Sequence, residues 1–511
     1  MKRKNLLLVG LLLLLLALVV VLSPLDLLRL LPLPSAGHPV AVSLFDSLAW
    51  NDRTIFRDGL SQAGQALLNR LPGASVYHLD LTLADDSTHV SGTEQVHFTN
   101  RTGVSLYRIE MRLYANLLGG KSEISGVKVD GQVVVPVFSQ QNSVMAIPLA
   151  APLAPGGSVV LQVAFVVTVP TTLDISYGIL AYTGGVLALA HSYPMIAVYD
   201  QNGWNEEIPA PWGDILYNDA SFYLVRVDAP TGLTLVASGR EVQHQGSGGR
   251  QKVTFAAGPA RDFYLAASAD YAKVSETVGG LTVNSYAPSG DETQSRLALD
   301  TALTAIQDYS RRYALYPYTQ FNLAAIPTQA LGIEYPGEVA ILQDLYTPRS
   351  ADDSQARIYL ETTVAHEVGH QWFYNLVGDN QLDEPWLDEA LAQFATWQYY
   401  GDRYGAAAAQ SFETEALKSR WDRLQDADIP IGKRVQDYTD AEYGAIVYGR
   451  GPLFFITLEN QIGQATFSTF IKDYVQTYAW QNATTDGLKK IAEKDCACDL
   501  TPLFQEWVYP K

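Results

Sequence analysis

The sequence predicts a multidomain chain: an amino-terminal all-β sandwich followed by an α+β domain, with one apolar helix ahead of both. Three observations carry this. Short β-rich runs separated by Gly, Pro, Asn and Asp fill Val76 to Asp270, helical periods take over after Asp291, and Leu6 to Leu22 is an unbroken apolar run. With 511 residues, 48% of them hydrophobic and 17% charged, the chain can bury a sizeable core and is no disordered tail. Its net charge of −19 would repel a phosphate backbone, so nucleic acid is not an expected partner.

Residues 1–22 place Lys2, Arg3 and Lys4 ahead of the apolar run, the pattern of a membrane anchor or a secretory signal. The run exceeds the usual signal core and no clean small-residue cleavage site follows, which favours an uncleaved transmembrane anchor. The rest of the chain is then expected outside the cytoplasm, either membrane-attached or secreted after cleavage. Residues 23–75 mix Leu and Pro with a short amphipathic stretch at Thr54 to Leu71, and read as a stalk with small helices.

Residues 76–270 contain runs such as Tyr77-His78-Leu79-Asp80-Leu81-Thr82-Leu83, whose alternation suits an antiparallel sandwich. Residues 271–511 carry helical periods at Ser295–Tyr313, Ala356–Val377, Pro385–Tyr400, Ala407–Leu424 and Ala441–Ile462, with β-like runs between the first two. Cys496 and Cys498 are the only cysteines and predict at most a local bridge. Asn100-Arg101-Thr102 and Asn482-Ala483-Thr484 match the acceptor pattern for N-glycosylation.

Chemistry concentrates in His366-Glu367-Val368-Gly369-His370. In a helix, residues i and i+4 share a face, so both imidazoles can reach one metal ion. Eighteen residues later comes Glu389, in Glu384-Pro385-Trp386-Leu387-Asp388-Glu389-Ala390. Pro385 suits a first helical turn and Asp383 its N-cap, which would put Glu389 early in a second helix beside the first. Two imidazoles and a carboxylate would hold one Zn2+ with an open fourth position, as catalytic sites do. Glu367 is turned by about 100° from His366 and can serve as general base.

His366 to Phe373, together with Trp386 to Ala390, resembles the M1 family of zinc aminopeptidases, a gluzincin family with an HExxH-(18 residues)-E site. The resemblance implies a saddle-like amino-terminal sandwich, a thermolysin-like catalytic domain, and peptides with a free amino terminus as substrates. Leu331-Gly332-Ile333-Glu334-Tyr335 stands where that family carries GAMEN, which implies that Gly332 and Glu334 bind substrate, with Glu334 on the α-amine. Leu331 and Tyr335 depart from the pattern. Ala445 to Gly451 resembles the family's Y-x-K-G stretch and implies that Tyr448 stabilises the oxyanion, with Tyr443 in reserve. Arg450 replaces the Lys there, and Pro452 should kink the helix.

For a second polar group on the amine the resemblance leaves His191, Glu206 and Glu207 open. The chain has no room for the helical carboxyl-terminal domain of many relatives. A thermolysin-type endopeptidase and an inactive zinc-binding surface module are the competing readings.

Overall fold

In the computed structural model, residues 48–347, 354–425 and 427–509 are described. The expected segment 1–22 lies outside them, and no described helix is long and apolar enough to cross a membrane. From Trp50 onward the chain forms one compact unit.

Its amino-terminal part is β-rich. The largest sheet has eight strands, in the order Arg240–Ser247, Arg250–Ala260, Ser221–Pro230, Val76–Leu83, His89–Thr99, Ser158–Thr168, Lys121–Val129, Gln132–Val133. Alternation makes one face of it apolar: along His89–Thr99, Val90, Val96 and Phe98 are buried. They share a core with Ile109, Met111, Met145 and Ile147 from a four-stranded sheet of Met195–Ile196, Leu106–Arg112, Val144–Leu153 and Val137–Ser139. One pairing departs from the antiparallel expectation. Val76–Leu83 runs parallel to Ser221–Pro230, because a long crossover returns the chain beside its first strand.

The segment expected as a stalk is, where described, packed on the body. Short 3-10 turns at Thr54–Gly59 and Gly64–Asn69 bury Phe56 and Leu68, and Ser61 N donates to Pro317 O at 2.8 Å.

The carboxyl-terminal part is α+β. A five-stranded sheet runs Tyr271–Val278, Leu281–Pro288, Gln320–Ile326, Glu338–Leu342, Gly332–Tyr335, which leaves Gly332–Tyr335 as an edge. The helix expected at 356–377 spans Ser354–Gly369 and stops there. Trp372 leaves its path to wedge among Tyr309, Tyr313 and Tyr316, and the chain folds back so that Asn375 N donates to His370 O at 3.0 Å. The stretches expected as single helices at 407–424 and 441–462 are interrupted by π-helical turns at Glu413–Lys418 and Ile446–Arg450. Cys496 and Cys498 form a disulfide.

Arg261 ties the two parts together. Its buried guanidinium donates to the carbonyls of Asn375, Asn218 and Gln481 at 2.8 to 3.1 Å, and to Asn482 Oδ1 at 2.5 Å. The β-rich part thereby grips the loop that follows the His366–His370 helix. Asn482 is consumed here, and Asn100 Nδ2 is held by Val104 O and Leu153 O, so neither asparagine amide is free as a glycan acceptor.

Candidate metal centre and active site

Small residues let three helices close around the site. A Cβ on Gly369 would lie 3.2 Å from Ala392 Cα, and one on Gly451 would lie 2.6 Å from Ala390 Cβ. The Ser354–Gly369, Glu389–Tyr404 and Gly451–Ile462 helices therefore meet at near backbone contact, and Glu389 is carried up to the histidines. Asp388, not Asp383, caps the Glu389 helix, accepting from Glu389 N at 2.7 Å. Asp383 is drawn off by Arg434, whose Nε donates to it at 2.6 Å.

His366 Nε2, His370 Nε2 and Glu389 Oε2 form a triangle with sides of 3.1, 3.2 and 3.4 Å. Four ligands at zinc bond lengths of about 2.0–2.2 Å would be spaced roughly 3.3–3.6 Å apart on a tetrahedron, so the triangle is one face of such a cage. His370 Nδ1 lies 2.9 Å from Phe373 O, an acceptor that keeps the proton on Nδ1 and leaves Nε2 for a metal. Burial pushes the Glu389 carboxyl up, but His370 and His366 beside it outweigh that and hold it well below the usual range. The donor set, its spacing and its tautomer all fit zinc.

One open cleft of about 990 Å³ holds every residue expected from the sequence: Gly332, Glu334, His366, Glu367, His370, Glu389 and Tyr448. Glu367 is buried, and its Oε2 has no hydrogen-bond partner among the described residues. The Tyr448 hydroxyl donates to Glu389 Oε1. Burial, with Glu389 next to it, pushes that hydroxyl's pKa well up and keeps it a donor. The π-helical turn, rather than a proline kink, sets Tyr448 at this point, and Pro452 sits in the first turn of the helix that follows. Arg450 does not face the cleft. It is buried between Trp421 and Trp507 and donates to Asp428 at 2.8 Å.

Glu334 Oε1 accepts from Gln381 Nε2 at 2.9 Å, and the same amide donates to Asp388 Oδ2 at 2.8 Å. Gln381 thus fixes Glu334 to the cap of the metal-site helix.

The residue missed by sequence reasoning is Asp214, which lines the cleft from the β-rich part. Burial, then Glu334 and Glu389, push its carboxyl well above the usual range, as expected where three acids face one spot. No spacing links position 214 to the metal motif, and Trp212-Gly213-Asp214 reads as a plain turn. Gly213, at φ +75, has its N–H held by the Tyr177 hydroxyl at 2.9 Å. Of the residues left open, Glu206 and Glu207 pair with Arg108 and Arg434 and do not line the cleft. His191 is buried 3.4 Å from Asp262, in a smaller pocket behind Glu334.

A paired-histidine helix with a carboxylate from the next helix is a donor set for one divalent metal ion. Residues 297–507 match the family description "Peptidase family M1 domain". It is 26% identical over 302 residues to Aminopeptidase M1-B of Oryza sativa subsp. japonica, covering 56% of this chain and 34% of that protein. To the Leucyl aminopeptidase of Saccharolobus solfataricus it is 25% identical over 231 residues, covering 43% and 29%. The chain thus spans about a third of the length of these relatives. In fold it is similar to the M1 zinc metallopeptidase from Deinococcus radiodurans, with a TM-score of 0.62 at 20% identity, covering 86% of this chain and 93% of that one.

Proposed function

We propose that this chain is a zinc aminopeptidase that removes the first residue from peptides with a free amino terminus. On this reading residues 76–270 are a saddle-like domain and residues 271–511 a thermolysin-like catalytic domain, with one Zn2+ held by His366, His370 and Glu389. The zinc, when bound, polarises the scissile carbonyl and acidifies water. Glu367 takes the proton of the attacking water on its carboxylate and passes it to the leaving amine. Tyr448 swings its donated hydrogen bond from Glu389 to the oxygen on which negative charge develops. The open edge at Gly332–Tyr335 pairs with the substrate backbone. Glu334 and Asp214 accept from the substrate's ammonium, and their charge closes that end of the cleft to an uncharged continuing chain.

The observation that carries this reading is the convergence of Glu334 and Asp214 beside a triangle of metal-ligand spacing. Matched leucine and arginine amides, free and acetylated, assayed with and without a chelator, test it. Hydrolysis of the free amides alone, lost on chelation and restored by zinc, is expected; equal rates on acetylated substrates would establish an endopeptidase instead. We further propose that residues 1–22 attach the enzyme to a membrane, with its catalytic part outside the cytoplasm. The basic flank and unbroken apolar run support this.

A further inference from the structure

The cleft carries one charge that the chemistry proposed above leaves unused. Asp214, Glu334, Glu367, Glu389 and Asp440 line it as acids, and among the described residues lining it Arg420 is the one lysine or arginine. The Arg420 guanidinium has no hydrogen-bond or ion-pair partner among the described residues, and it is open to the cleft rather than sealed in the protein. Its Cζ stands over the ring of Tyr448, 5.7 Å from the centroid. The placement is built in: a Cβ on Gly449, in the π-helical turn that carries Tyr448, would lie 3.0 Å from Arg420 Cβ. Arg423, exposed one turn further along the chain, adds a second positive charge beside it.

The two ends of the cleft can be told apart. Ligand-capable atoms of Glu334, Glu367 and His370 lie within 4.8 Å of one another, so the amine end is on the His370 side. The Tyr448 ring stands instead beside His366, with centroids 5.9 Å apart, and Arg420 is on that ring. The walls agree, since Thr362 and Thr363, one turn before His366, and Gln393, one turn after Glu389, also line the cleft. Gln393 is buried and its Oε1 has no hydrogen-bond partner among the described residues, which leaves an amide in this wall unused by the fold. The guanidinium is thus within two ring contacts of a metal ligand. An extended residue spans about 3.3–3.6 Å, so a chain reaches Arg420 one or two residues past the bond being cut.

We infer that Arg420 receives the terminal carboxylate of a short substrate, and that the enzyme is thereby selective for dipeptides and tripeptides with a free carboxyl end. The inference rests on the aminopeptidase reading above and names the substrate class of the same cleft. Two acids at one end and a cation at the other complement a zwitterion of limited length. The planar fork of a guanidinium matches a carboxylate, and in a chain of net charge −19 that anion finds little welcome elsewhere.

The test uses the full chain loaded with zinc. Leu-Gly and Leu-Gly-Gly are supplied as free acids and as carboxyl-terminal amides, with a five-residue Leu-(Gly)4 pair and acetyl-Leu-Gly-Gly alongside. The free acids of the two short peptides should exceed their amides by about tenfold or more in kcat/KM, the ratio falling toward one for the five-residue pair. Arg420→Gln should bring every acid-to-amide ratio near one, and Arg420→Lys should restore part of the preference. Zinc content and cleavage of the Leu-Gly-Gly amide report an intact site in each variant. Should Arg420→Gln be inert, the wild-type ratio and its decline with length still decide. A wild-type ratio near one on short peptides, with free amines still cleaved, would overturn the inference and leave the aminopeptidase reading standing. A ratio that survives Arg420→Gln would give the carboxylate to another group and overturn it as well. Equal cleavage of acetyl-Leu-Gly-Gly would overturn the aminopeptidase reading, and this inference with it.

Discussion

A Cβ on Gly332 would lie 2.4 Å from Oε1 of Glu367 and 2.6 Å from its Cγ. The edge strand and the proposed base are thus in direct contact, and glycine is what allows it. Position 332 bears on chemistry as well as on substrate binding. Gly332→Ala should push the Glu367 carboxylate aside without touching a zinc ligand. We predict full zinc content with kcat lowered roughly 100-fold, the cost typical of about a 1 Å misplacement. Glu367→Gln sets the floor, with zinc retained and nearly all turnover gone. Metal analysis beside steady-state kinetics checks both, and wild-type kcat in Gly332→Ala would show that the base has room to yield.

Asp214, on a loop of the β-rich part, and Glu334, on the Gly332–Tyr335 edge strand, both line the cleft. If each accepts a charged hydrogen bond from the ammonium, Asp214→Asn removes the negative charge from one such bond at constant shape. The expected loss is roughly 10- to 150-fold in kcat/KM on free-amine substrates, from about 1.5–3 kcal/mol for a bond to a charged group. Zinc content should not change. An unchanged kcat/KM would leave Glu334 as the amine's only carboxylate besides the metal ligand.

How much of this was legible in the sequence depends on how local each feature is. His366, Glu367, His370 and Glu389 follow from helical periodicity plus one spacing; the structure brings His366, His370 and Glu389 together, with Glu367 lining the same cleft. Helix ends were less legible, because what stops the helix at Gly369 is the packing of Trp372 among tyrosines distant in sequence. The π-helical turn at Ile446–Arg450 leaves the hydrophobic pattern intact while shifting the phase that aims Tyr448. The parallel pairing of Val76–Leu83 with Ser221–Pro230 and the arrival of Asp214 are long-range events with no local mark. Asp383 shows the limit of capping rules, since a nearby arginine took the side chain that local preference assigned to a cap.

Tyr448 and Tyr443 stand with ring centroids 5.7 Å apart, and both line the cleft. Of the two, Tyr448 bonds to a metal-site residue; the Tyr443 hydroxyl is buried with no partner among the described residues and packs close to Gly213. Tyr448→Phe should therefore lower kcat by about 10²–10³ with little change in KM, as for loss of one oxyanion donor. Tyr443→Phe should stay within a few-fold of wild type. The reverse order of effects would assign the oxyanion role to Tyr443.

Far from the cleft, Glu94 lies on the inward face of the large sheet, opposite Leu79 on one side and Val163 on the other. Both its oxygens are buried with no partner among the described residues, and burial pushes its carboxyl well above the usual carboxylate range. A raised carboxyl keeps its proton in the folded protein while the unfolded chain loses it. The folded state then binds more protons, so stability falls as pH rises above about 4.5, by about 1.4 kcal/mol per pH unit until the folded carboxyl itself ionises. Below that window both states are protonated and the penalty vanishes. Glu94→Met removes the ionisable group at similar volume. The variant should melt higher than wild type at pH 8, with the gap closing as the pH is lowered toward 4.5. Melting curves at several pH values check this, and a gap independent of pH would mean that Glu94 acts through packing rather than through its proton.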